Sequence, residues 1–102
     1  MADAPRVAML VERVMSGGVV LDLVDVAPAA RGCQRSRSYA ISLQPALWGG
    51  TDVVRMWGRR GHLRRPRLLA THHMMEAELR RAVADVVRLR LRHGYLPALG
   101  AL

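Results

Sequence analysis

A chain of 102 residues has room for one domain around a single core, and its net charge of +8 comes from 16 Arg and no Lys, set against 8 acids. The lone Cys33 excludes an intrachain disulfide and a cysteine metal site, and fits a reducing cytoplasm. No apolar run reaches the ~18 residues that a membrane span needs, and Glu12 and Arg13 interrupt the run from Val7 to Met15, which makes it a poor signal peptide.

Residues 1–18 read as an N-terminal extension, either a short docking helix or a frayed tail, with Val7, Leu10, Val11 and Val14 at helical spacing and Gly17-Gly18 as the stop of such a helix. The main domain is expected at residues 19–96, followed by a short tail at 97–102. Val19, Leu21 and Leu23 alternate in a first strand that ends at Asp25. A turn region with Pro28, Gly32 and Ser36 leads to a second strand at 38–43, where Tyr39, Ile41 and Leu43 share a face. Pro45 and Gly49-Gly50 bracket a loop carrying Leu47 and Trp48. A third strand is expected at 52–59 and a short fourth at 67–70, after a turn marked by Gly61 and Pro66.

From about His72 to Arg92 there is neither Gly nor Pro, and Gly94 stands where a helix C-cap belongs. Met75, Leu79, Ala82, Val83, Val86 and Leu89 fall on one side of this helix; Arg81, Asp85, Arg88 and Arg92 fall on the other. Arg90 lies inside the apolar arc, from which it is expected to snorkel outward near the negative end of the helix dipole. The expected fold class is α+β: a small antiparallel sheet of about four strands, with one C-terminal amphipathic helix packed on one face.

The most informative segment runs from Asp52 to Gly61. Alternation places Val54 and Met56 towards the helix, and Arg55, Trp57 and Arg59 on the uncovered face as a cation-aromatic-cation stripe. Such a stripe can stack on a base or sugar while holding phosphates. Arg60, Arg64, Arg65 and Arg67 follow, so residues 55–67 hold basic side chains and no acid. The charge is uneven along the whole chain: residues 1–51 have five Arg against four acids, whereas residues 52–102 have eleven against four. The second half therefore points at a polyanion.

Trp57-Gly58-Arg59 is the tripeptide that names the WGR domain, and three further landmarks occur in the family's order. They are the Tyr39-led strand, Leu47-Trp48-Gly49-Gly50, and a helix with an Ala-Glu start that ends in a basic residue and Gly94-Tyr95. Over residues 19–96 the chain thus resembles the WGR family, which is found in bacterial proteins and in poly(ADP-ribose) polymerases. The resemblance implies a small antiparallel sheet with one packed helix, and a role in binding DNA near strand breaks or in relaying contacts between domains. The chain departs from the family pattern at Arg60, where an apolar residue is usual, and in the turn Leu63-Arg64-Arg65. By alternation Arg60 would face the core, so the strand is expected to end or twist at Arg59.

Tyr39 and Trp48 read as core residues, each among apolar neighbours. His72-His73 suits a metal poorly, because adjacent helix residues diverge by about 100° and do not chelate one ion. No Ser-His-Asp set, carboxylate pair or Gly-rich phosphate loop is present, so neither catalysis nor a cofactor is expected. The expected function is non-catalytic nucleic-acid binding, DNA above all, through Arg55, Trp57, Arg59, Arg64, Arg65 and Arg67. The alternative is a protein-interaction module that docks on a DNA-processing enzyme through Trp57 and the helix.

Overall fold

The computed structural model describes residues 4–24, 36–59 and 65–97. The elements in chain order are α1 (Ala4–Ser16), β1 (Val19–Val24), β2 (Ser36–Pro45), β3 (Thr51–Arg59), β4 (Arg67–His73), α2 (Glu76–Arg92) and β5 (Leu96–Pro97). The fold is α+β, with a C-terminal helix after a run of strands. All five strands form one antiparallel sheet in the order β4-β3-β2-β1-β5. The fifth strand is too short to leave a pattern in the sequence. It forms because Gly94, at φ +94°, takes the left-handed turn that ends α2. Gly94 N–H donates to the Leu91 carbonyl and Tyr95 N–H to the Arg90 carbonyl, both at 3.0 Å. This pair of bonds closes the helix as a Schellman motif. The turn buries Tyr95 and lays Leu96 and Pro97 beside Asp22 and Leu21 of β1.

The N-terminal segment is not an appendage. The side of α1 formed by Val7, Leu10, Val11 and Val14 is buried in the same core as Val19, Leu21, Tyr39, Ile41, Val53, Leu79, Val83, Val87 and Tyr95. Helix α1 packs against α2 and against β2, so two helices cover one face of the sheet. Glu12 accepts a hydrogen bond from Arg80 across the α1–α2 seam, which raises the Arg80 pKa above its ordinary value. Helix α1 stops where Gly17 and Gly18 N–H groups both donate to the Arg13 carbonyl at 3.1 Å. Gly18 has φ +117°, and a Cβ there would sit 3.0 Å from the Ile41 carbonyl, so glycine lets the chain pass from helix to strand against β2.

The second helix begins at Glu76 rather than near His72; His72 and His73 extend β4 instead. Its buried positions are Leu79, Val83 and Val87, a stripe turned from the expected line through Val86 and Leu89. The reason is that α2 has two neighbours. The sheet takes the Leu79-Val83-Val87 stripe, while Ala84 lies in the cleft against α1 beside Val7 and Val11. Met75 and Leu89 are left exposed.

Candidate nucleic-acid interface

Register decides which side chains meet the helices. Tyr39 pairs with Leu21 on one side and Trp57 on the other, while Ile41 pairs with Val19 and Arg55, and Leu43 with Val53. Residues directly opposite each other in a ladder share a face. Arg55 and Trp57 therefore lie on the helix side with buried Val53, and Val54 and Met56 lie on the open side. This reverses the expected assignment. The alternation of β3 is legible in the sequence, but Val54 and Met56 resemble core residues as closely as Val53 does. Only pairing with the Tyr39-Ile41 row fixes the parity.

Tyr39 is the hub of the helix side. Trp57 stacks on it with ring centroids 5.6 Å apart and an interplanar angle of 17°. Tyr95 meets it edge-on at 6.0 Å. The Arg55 guanidinium donates to the Tyr39 hydroxyl at 3.4 Å. The Arg90 guanidinium carbon lies 4.3 Å from the Tyr39 ring centroid, within cation–π range. Arg90 thus turns inward against the rings rather than snorkelling out, and its Nε is buried without a hydrogen-bond partner. The cause is position: Arg90 follows Leu79, Val83 and Val87 along the core stripe, and the aromatic faces of Tyr39 and Tyr95 receive its charge.

Trp57 is nevertheless only partly buried. Helix α2 starts beside Thr51 and His73 and finishes over Tyr39, where Gly94 approaches the Leu23 side chain. This diagonal path leaves the corner formed by the end of β3 and the start of β4 beyond the helix. In that corner Trp57 opposes Arg67, and Arg59 opposes Arg37. Arg37, Arg65 and Arg67 are exposed. The Arg59 side chain, Arg60 and Arg64 lie outside the described residues. Gly58 comes close to Pro66, whose Cα would be 3.4 Å from a Cβ at that position, so the bare backbone lets the β4 approach fold tightly over β3.

Charge divides the sheet along its strands. On β2, β3 and β4 the described segments 36–39, 55–59 and 65–67 hold five Arg and no acid, and β1 adds the single acid Asp22 opposite Ser38. At the opposite end, segments 44–52 and 72–78 hold Asp52, Glu76 and Glu78 and no Arg. There His72 Nδ1 is 2.7 Å from an Asp52 carboxylate oxygen, on the open side, while Thr71 Oγ1 contacts His73 Nε2 at 3.1 Å on the helix side. The two His are consecutive strand residues and point to opposite faces, so they are not partners for one ion.

Trp48 is not a core residue. The turn between β2 and β3 closes through Gly49 N–H to the Ala46 carbonyl and Ala46 N–H to the Gly50 carbonyl. Gly49 and Gly50 both have positive φ, which lifts Leu47 and Trp48 to the tip at 96% and 94% exposure. Exposed Met74 reaches back to within 3.7 Å of where a Gly49 Cβ would be, and exposed Met75 follows it. The sequence signal for this apolar knob was the consecutive glycines, which mark a tight tip rather than a strand end facing inward.

No family model matches this chain, and no solved structure matches it. Similarity extends to "Uncharacterized protein y4dW" of Sinorhizobium fredii (strain NBRC 101917 / NGR234), which is 32% identical over 62 residues, or 61% of this chain. Those residues span 29% of the relative's own length, so the likeness concerns one part of a longer protein.

Proposed function

We propose that this domain binds nucleic acid, DNA foremost, without catalysis, through the basic end of its sheet. The observation that carries the reading is the gathering of Arg37, Arg65 and Arg67 around the partly exposed Trp57, where the adjoining segments of β2, β3 and β4 hold no acid and the nearest acid in the sheet is Asp22 of β1, across from Ser38. Guanidinium groups neutralise phosphates and an accessible indole edge offers a surface for a base or sugar. The Trp57-Gly58-Arg59 resemblance to WGR domains supports the same chemistry, and Arg59 and Arg64 belong to the proposed set by sequence. Arg55 takes a positioning role instead, since its guanidinium is engaged by Tyr39. A fluorescence titration against single-stranded, duplex and nicked DNA over a series of salt concentrations tests the reading. If roughly three to five Arg engage phosphates, log affinity falls against log salt with a slope of about −3 to −5 on duplex DNA. Absence of binding at low salt overturns it.

A second reading, a protein-interaction module, is favoured by the Leu47-Trp48 tip with Met74 and Met75, since exposed aromatic and Met side chains are the usual anchors of such contacts. Binding by that route is insensitive to salt and is lost in Trp48→Ala.

A further inference from the structure

The two edges of the sheet differ. At one, β5 offers only Leu96 and Pro97, a short edge that gives another strand little to pair with. At the other, β4 runs from Arg67 to His73 and, among the described residues, pairs with β3 alone, so one row of its backbone N–H and C=O groups has no described strand beside it. Edge strands of this length are ordinarily blunted by Lys, an acid or an internal Pro. β4 carries one fixed charge, Arg67 at its first position, and its interior instead exposes Leu68 at 61% on the open face and Leu69 at 42% on the helix side.

We propose that β4 is a self-association strand, pairing antiparallel with β4 of a second copy about Ala70 and merging the two sheets. Charge selects both the partner and the direction. Arg65 and Arg67 stand at the start of β4, and Glu76 and Glu78 stand just beyond its end at the beginning of α2. An antiparallel pair brings the basic start of each strand beside the acidic end of the other, twice, as a two-fold axis requires. A parallel pair would set Arg against Arg. Ala70 is the middle residue of β4, and its small, exposed side chain lets the two edges close at the axis. Leu68 of each copy then gains cover along the open face, in the row it shares with Met56.

The pairing uses Arg65 and Arg67, which the nucleic-acid reading also uses, so association is measured without nucleic acid. Sedimentation equilibrium of the full chain at low salt, over a wide concentration range, should rise to twice the chain mass. Leu68→Lys, at an exposed position, should remain monomeric and melt cooperatively at the temperature of the dilute, dissociated wild-type chain. Glu76→Arg with Glu78→Arg should lose association, and adding Arg65→Glu with Arg67→Glu to that variant should restore it. In a Cys33→Ser background, Ala70→Cys should crosslink to a dimer on mild oxidation, whereas Ala40→Cys, away from the edge, should not. A monomer at every concentration, or a dimer that Leu68→Lys leaves intact, overturns the proposal. So does a charge reversal that is not rescued.

Discussion

At one end of the sheet Trp48 stands on the β2–β3 turn, in solvent; towards the other end Trp57 lies against Tyr39 among basic residues. The neighbours of the two indoles in sequence suggest the reverse, because Leu47 precedes Trp48 while Arg residues surround Trp57. What separates them is geometry. Trp57 occupies a strand position whose parity is set by the Tyr39 row, and two positive-φ glycines place Trp48 on an outward loop. A large apolar residue is buried by where the backbone aims it, and composition around it is a weak guide.

The strongest test of that contrast removes the core that both ends share. Val83 is fully buried between sheet and helices, and Val83→Asp should unfold the domain, since an unpaired buried charge costs several kcal/mol, comparable to total stability. Loss of cooperative melting by circular dichroism is the expected result. Leu10→Ala should come next, at about 2–5 kcal/mol in urea unfolding, because α1 is part of this core. A change under about 0.5 kcal/mol, the usual surface range, would detach α1 from it. The two Trp can then be set against each other. Trp57→Ala should lower single-strand or DNA-end affinity by about 1–3 kcal/mol if the ring edge stacks, and lower stability through loss of a ring pair worth about 0.5–1.5 kcal/mol. Trp48→Ala should stay within about 0.5 kcal/mol in stability and leave DNA binding alone. The smallest effect belongs to the surface charges. Arg65→Gln with Arg67→Gln should flatten the salt slope by up to about two units at unchanged melting temperature. Arg81→Gln with Arg88→Gln, on α2, should not change it.

Much of the fold was legible. Gly94 marked the end of α2, the Tyr39-Ile41 alternation marked β2, and Gly17-Gly18 marked the end of α1, all through local backbone rules. The Arg-rich corner was legible too, because charge density survives a wrong face assignment: Arg65 and Arg67 are exposed under either parity. What the sequence hid depended on distant partners. The parity of β3 was ambiguous because Val53, Val54 and Met56 are all apolar and only the register with β2 distinguishes them. The inward turn of Arg90 required knowing that Tyr39 and Tyr95 meet beneath the helix. The place of α1 in the core required knowing that α2 presents a second side to it. Helical spacing in Val7–Val14 was visible, but not its destination.

The pairing of β1 has a consequence for the order in which the protein is assembled. Leu21 finds one neighbour in Tyr39, soon after it in the chain, and the other in Pro97, which follows every remaining strand and helix. Tyr95 likewise reaches back to Tyr39, and α1 rests on α2. During synthesis, the outer edge of β1 and the side of α1 that meets α2 therefore stay uncovered until the last elements emerge. Contacts so far apart in the chain carry the loop-closure entropy that slows folding. Nascent chains halted before Glu76 should hold the β2–β3 hairpin with the helix side of the sheet and the inner side of α1 not yet covered by α2, and should be the species that chaperones engage.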